Sequence, residues 1–179
     1  MKKTRCFLAL LPEAQLQRQL FDCADQLRAR LPAREIRWSD AAQWHLTTAF
    51  LGNLSDEQIR SLCAAMPGRL RHCGPVSSRI RRVAQFPNPG KPKVIAALAD
   101  LSPSLAAVRA QSYLPGEQAE RRYSPHITLG RYRRTPHPSP FNPLPVDWQF
   151  EASELLLIAS QLTPAGAVYT GLAAFPLSA

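Results

Sequence analysis

Two rhythms of apolar positions divide the chain. A nearly unbroken apolar run over residues 5–11 predicts a buried strand. Leu16, Leu20, Cys23, Ala24, Leu27 and Leu31 then recur at helical spacing, with Pro12 expected in the first turn and Pro32 ending the pattern. Residues 34–38 predict a short strand or edge segment. Residues 44–51 predict another strand, closed by Gly52-Asn53. Ser55 followed by Gln58 has the form of a capping box. It opens a helix with Ile59, Leu62, Cys63 and Met66 on one face, expected to stop near Pro67-Gly68.

A similar order begins again near Gly74. Residues 76–86 predict a strand with basic residues on its exposed side, and the Pro-rich stretch 87–92 a rigid turn. Residues 93–99 predict a buried strand. Ser102-Pro103 starts a helix with Leu105, Ala106, Val108 and Tyr113 available for packing, and residues 115–122 form a polar loop. A strand at residues 126–131 follows. Residues 135–145 hold five of the 17 prolines and predict an extended loop. Residues 154–161 and 168–175 are the last two strands, joined by a turn at 163–166. The expectation is an α+β protein, bilobal, with two pseudo-symmetric lobes whose mostly antiparallel sheets face a central cleft. Residues 1–179 would form a single bilobal domain with internal duplication.

One short pattern occurs in both halves. His45-Leu46-Thr47 lies in the first, within Trp44-His45-Leu46-Thr47-Thr48-Ala49-Phe50-Leu51-Gly52. His126-Ile127-Thr128 lies in the second, within Tyr123-Ser124-Pro125-His126-Ile127-Thr128-Leu129-Gly130-Arg131. Side chains alternate faces along a strand, so His and Thr share one face while Leu46 and Ile127 point into a core. Were the two faces to meet, a pocket would hold two imidazoles and two hydroxyls. That set suits a phosphodiester: one imidazole takes a proton, the other gives one, and the hydroxyls hold the non-bridging oxygens. A lone strand His is more often structural than catalytic; the duplication is what singles these two out. Arg131 would add a bidentate grip on phosphate, although strict alternation turns it away from His126 and Thr128. His72, at a helix end, and His137, in the Pro-rich loop, lack the pattern and are expected on the surface.

Charge narrows the ligand. Lys and Arg number 22 against 13 Asp and Glu, a net charge of +9, which favours polyanions such as RNA or nucleotides. The four cysteines (Cys6, Cys23, Cys63, Cys73) are not spaced for zinc, and reduced thiols fit a cytoplasmic protein. No carboxylate cluster or P-loop is visible, so neither a metal nor a nucleotide cofactor is required. The basic start and short apolar run resemble a signal peptide only superficially, since Pro12-Glu13 ends the run without a small-residue cleavage site. No apolar run approaches the roughly 20 residues that span a bilayer.

The paired His-x-Thr motifs resemble the two signatures of the 2H phosphoesterase superfamily. The text around them, with Arg5-Cys6-Phe7-Leu8-Ala9-Leu10 ahead of Pro12, Phe50-Leu51-Gly52 after the first motif and Tyr123-Ser124-Pro125 before the second, is similar to the bacterial RNA 2′,3′-cyclic phosphodiesterase branch, also called 2′-5′ RNA ligase. One departure is Thr48, where the motif is usually apolar; its side chain faces away from the pocket, so little effect is expected. The resemblance implies His45 as proton donor to the leaving 3′-oxygen, His126 as proton acceptor from water, and Thr47 and Thr128 on the phosphate. It also implies action on RNA with 2′,3′-cyclic phosphate ends, with ATP-independent 2′-5′ joining of tRNA halves as a second activity; a monomer is expected. Phe7, Phe50 and Tyr123 are candidates for base stacking, beside Arg131 in substrate binding, with a place as ordinary core or wall aromatics an equal alternative for the three rings. Two alternatives stay open: a noncatalytic RNA-end binder, and a related enzyme acting on a small nucleotide such as ADP-ribose 1″,2″-cyclic phosphate.

Overall fold

The computed structural model describes residues 3–113, 123–133, 138–163 and 166–178. The expected loop at 115–122, His137 and the turn residues 164–165 lie outside them. Nine strands and three helices run in the order β1 (Lys3–Leu10), α1 (Ala14–Arg30), β2 (Ile36–Trp38), β3 (Leu46–Ser55), α2 (Asp56–Leu70), β4 (Val76–Phe86), β5 (Val94–Ala99), α3 (Pro103–Gln111), β6 (His126–Tyr132), β7 (Leu144–Ala152), β8 (Glu154–Thr163) and β9 (Gly166–Pro176).

All strand pairs among the described residues are antiparallel, in the order β7-β4-β5-β6-β3-β1-β8-β9, with β2 added beside β6. The centre of this order is β6-β3, where the two halves meet through one bridged pair, Leu46 opposite Ile127. Four strands lie on each side. The C-terminal hairpin β8-β9 joins β1, so the half containing the first motif is not contiguous in sequence.

The helices contribute to the same buried cluster, against one face of the sheet. Leu16, Leu20 and Leu27 of α1, Leu62, Met66 and Leu70 of α2, and Leu105 and Val108 of α3 meet Cys6, Leu8 and Leu10 of β1 there. The intervening residues Phe7 and Ala9 turn to the opposite face and form a smaller cluster with Ile158. Alternation in β1 thus divides a helix-covered core from a face left for a site. Local signals set the helix ends. Ser55 and Gln58 form the expected reciprocal capping box, and Ser102 caps α3 just ahead of Pro103.

Four expectations about boundaries need correction. Pro12 lies before the N-cap residue Glu13, outside the helix. Strand β3 continues past Gly52 to Ser55, with Gly52 at φ 69°, a conformation open to glycine. Helix α2 runs through Pro67 to Leu70, whose buried side chain keeps the last turn on the core. Strand β7 was not expected at all. Its alternation over Val146 to Phe150 is regular, but Pro145 and the proline run before it read as loop; β7 is an edge strand, where proline is tolerated.

Gly130 is closely packed. A Cβ added there would stand 2.8 Å from Ile36 Cγ2 and 3.1 Å from Trp38 Cε3, both on β2. Gly130→Ala is expected to destabilise the fold by roughly 1–3 kcal/mol, because β2 must shift to admit the methyl group. Urea denaturation checks this; an unchanged midpoint would show that β2 yields freely.

Candidate active site

The Leu46–Ile127 bridge sets the geometry. These are the middle residues of the two motifs, and both are fully buried. On a regular antiparallel ladder the neighbours of such a pair face each other on the opposite side of the sheet. His45 then stands across from Thr128, and Thr47 across from His126. Such a ladder would set the two imidazoles on a diagonal, at a backbone separation of roughly 7–8 Å. All four residues line one cleft of about 690 Å³, a volume within the ordinary range for small-ligand sites.

Both rings are held alike. His45 Nδ1 lies 2.7 Å from the carbonyl oxygen of Gln43, and His126 Nδ1 lies 2.8 Å from that of Ser124. A carbonyl only accepts, so each Nδ1 carries the hydrogen and each Nε2 is left for a ligand. Each ring also leans on a phenylalanine: Phe7 against His45 at 4.9 Å between centroids, Phe86 against His126 at 4.6 Å. Tyr169 meets His45 edge-on at 5.2 Å. The Gln43 side chain ties its own loop down by donating 2.6 Å to the Ala167 carbonyl.

Burial lowers the pKa of both imidazoles from the usual 6.5. The hydrogen bonds to Gln43 and Ser124 oppose this, the Arg131 charge adds to it at both rings, and His126 adds to it at His45. Arg131 therefore acts electrostatically on both histidines, and it lines the cleft. Strict alternation would have turned it away. Instead β6 bulges directly after its Thr: Ala96 pairs with Thr128 and Ile95 with Gly130, so Leu129 is skipped. Leu129 and Gly130 are both buried, and Arg131 swings back to the cleft. Strand β3 does the same one residue after Thr47, where Thr48 is skipped, and Phe50 returns to the cleft.

The threonines differ sharply. Among the described residues, the hydroxyls of Thr47 and Thr128 make no hydrogen bond to protein, and both residues line the cleft. Thr48 is buried on the core side, donating to the Leu8 carbonyl at 3.2 Å and accepting from Ser112 Oγ at 2.9 Å. The apolar-site departure in the first motif is thus a satisfied core hydroxyl.

The aromatic candidates separate as well. Phe50 is 64% exposed on the cleft, open for stacking, whereas Phe7 is buried beneath His45. Tyr123 is not brought to the cleft. Its hydroxyl donates to the Thr47 carbonyl at 2.6 Å and its ring packs against the core, so it braces the first motif from the second. His72 is exposed at the end of α2 and accepts from Arg71 Nε.

Several lining residues were not expected: Arg5, Arg37, Lys93, Phe86 and Tyr169. With Arg131, the cations among them give the lining four positive side chains and no carboxylate, a field that selects anions. Alternation from Phe7 back to Arg5 would have revealed one of them. The others depend on which strand ends meet, which no local signal carries. Among the described residues no three His, Cys, Asp or Glu side chains converge as a metal site.

The fold and the paired motifs are those of the two-histidine phosphoesterases, and comparison with known proteins shows the same family. Residues 10–96 match the LigT like phosphoesterase family model. The chain is 32% identical to the RNA 2′,3′-cyclic phosphodiesterase of Thermus thermophilus, covering 97% of this chain and 90% of that protein. It is 27% identical to the protein of the same name from Methanothermobacter thermautotrophicus, covering 98% and 100%. A crystal structure of TT0787 from Thermus thermophilus superposes with a TM-score of 0.80 at 29% identity, covering 97% of each chain. The crystal structure of E. coli LigT complexed with 3′-AMP shares the fold, with a TM-score of 0.73 at 24% identity over 99% of this chain and 100% of that one. The chain belongs to the LigT-like phosphoesterases.

Depressed imidazole pKa values have a direct consequence for titration. Lowering favours the neutral ring, so on acidification both histidines should stay neutral until the pH is below 6.5. NMR titration of the two ring Cε1 protons is expected to show both midpoints below that value. Saturating inorganic phosphate should raise at least one, because an anion stabilises imidazolium. A midpoint above 7 in the free protein would contradict the burial argument.

Proposed function

We propose that this protein is an RNA 2′,3′-cyclic phosphodiesterase that hydrolyses a terminal cyclic phosphate to a 2′-phosphomonoester by two-histidine acid–base catalysis. The observation that carries this is the pair of Nδ1-anchored imidazoles lining one cation-rich cleft together with two unengaged threonine hydroxyls. Four relatives bearing the name RNA 2′,3′-cyclic phosphodiesterase support the substrate class.

In this reading the cyclic phosphate lies between the rings. The Nε2 of neutral His126 takes a proton from water as its oxygen bonds to phosphorus. The bond to the 3′-oxygen breaks, and His45, as imidazolium, protonates that oxygen at Nε2. His126 ends protonated and His45 neutral; exchange with solvent restores both. His45 gains its proton together with the anionic ligand, whose charge offsets the burial that disfavours imidazolium. Thr47 and Thr128 donate to the non-bridging oxygens, where negative charge grows, and Arg131 supplies a counter-charge. Release of strain in the five-membered ring drives the step, so no nucleotide cofactor enters it. A 5′-hydroxyl in place of water would give 2′-5′ ligation without ATP, the second activity expected with tRNA halves. The strand order, symmetric about the two motifs, supports reading the chain as a single bilobal domain with internal duplication. We expect a monomer acting in the cytoplasm; no described helix is long and apolar enough to cross a membrane.

The test is hydrolysis of an oligoribonucleotide ending in 2′,3′-cyclic phosphate, with the product isomer identified. The expected product is the 2′-phosphate. His45→Ala and His126→Ala are each expected to lower kcat by roughly 100- to 10,000-fold with an unchanged melting temperature. Thr47→Val and Thr128→Val should each cost on the order of 100-fold, the scale for losing one donor to a developing anion. EDTA should have no effect. A 3′-phosphate product, or full turnover in either histidine variant, would overturn the mechanism; loss of activity in EDTA would show a metal at work.

A further inference from the structure

The catalytic cleft continues into a second groove. Arg5, Ser160 and Leu162 line both, and beyond them the second groove is bounded by Lys3, Asn53 and Gln161. Strand β1 connects the two. Its bulges with β3 place the extra residue on β3, so β1 keeps strict alternation, and Phe7, Arg5 and Lys3 follow one another along the cleft face. At about 3.3 Å per residue they span about 13 Å, with alternate side chains about 6.6 Å apart. That spacing is comparable to the separation of successive phosphates on an extended RNA strand.

Charge and exposure distinguish this groove. Lys3 and Arg5 are exposed, and among the described residues neither forms a salt bridge. No carboxylate is among the side chains lining the groove. Two large apolar side chains are exposed nearby: Leu162, 70% exposed, lines both grooves, and Phe50, 64% exposed, lines the cleft and pairs with Phe7 of β1. A phosphate-tracking row of cations beside exposed apolar platforms is the usual design for holding single-stranded nucleic acid without reading its sequence. The groove on the opposite side, beyond Phe86 and Pro87, is less suited. Its lining includes Asp100, which already binds Arg81 at 2.7 Å.

We infer that the groove along Lys3 and Arg5 holds the RNA strand on the 5′ side of the cyclic phosphate, making the protein selective for oligonucleotides over mononucleotides. The inference rests on the phosphodiesterase reading for its choice of ligand. Arg5 would meet the phosphate nearest the terminal nucleotide and Lys3 the next one out, while Phe50 and Leu162 carry bases.

The test compares a short oligoribonucleotide ending in 2′,3′-cyclic phosphate with a nucleoside 2′,3′-cyclic monophosphate. Lys3→Glu is expected to lower the ratio of their kcat/KM values about tenfold, by reversing one phosphate-facing charge. Arg82→Glu, on the opposite groove, should leave the ratio unchanged. In parallel, the affinity of a fluorescent oligoribonucleotide with a 3′-phosphate is measured against salt. Lys3→Gln should flatten the log–log slope by roughly 0.7. An unchanged ratio and slope in the Lys3 variants, or a fall produced by Arg82→Glu instead, overturns the inference. Wild-type protein that hydrolyses neither substrate sinks the phosphodiesterase reading alone, because the binding slopes still decide the groove.

Discussion

One bridged pair of residues organises this molecule. Leu46 and Ile127 form the one described bridge between β3 and β6, and each stands between the His and Thr of its own motif. Burying these two apolar side chains is favourable whatever the protein does. Because side chains in a strand alternate, that burial obliges the four polar neighbours to emerge together on the other face. Packing on one side of the sheet is thus what assembles the chemistry on the other. Tyr123 reinforces the junction by linking the residue run before the second motif to the backbone of the first.

Around this junction the two imidazoles receive matching treatment: a backbone carbonyl two residues earlier at Nδ1, and an aromatic ring against the face. Matching restraint leaves the division of labour to protonation. Burial and Arg131 keep both rings inclined to the neutral form, which would suit the base of the proposed mechanism and oppose its acid. In the proposed mechanism an anionic ligand would reverse that balance, so that the acid is charged when there is something to protonate. Arg131, whose charge adds to the lowering of both imidazole pKa values, also belongs to the set of cations that would draw the anion in.

Much of this was legible in the chain itself. The two His-x-Thr strands, the capping box at Ser55 and Gln58, the helix start at Ser102-Pro103 and the strand Val76–Phe86 all rest on local rules, and all are present, the first motif's strand running past its expected end at Leu51 to Ser55. What was not legible depends on irregularity or on long-range meeting. Arg131 reaches the cleft because a bulge breaks the period of two, and one extra residue leaves no mark in composition. Gly130 hints at it, since only a residue without a side chain fits against Ile36 and Trp38 there. Tyr123 sits beside the second motif in sequence and was expected on the cleft, yet its ring serves the core. Phe86 and Lys93, from the β4–β5 connection, and Tyr169, from β9, come from parts of the chain distant from both motifs. The hairpin β8-β9 closes on β1 from the far C-terminus, so halves drawn at Gly74 do not coincide with the halves of the sheet.

The convergence of both imidazoles on a single phosphorus is best tested by a crystal structure with a nucleoside 2′-phosphate bound. The account requires His45 Nε2 and His126 Nε2 each within about 3 Å of oxygens on the same phosphate, with Thr47 and Thr128 hydroxyls on its remaining oxygens. A phosphate touching one imidazole alone, or seated outside the cleft between the motifs, would contradict it.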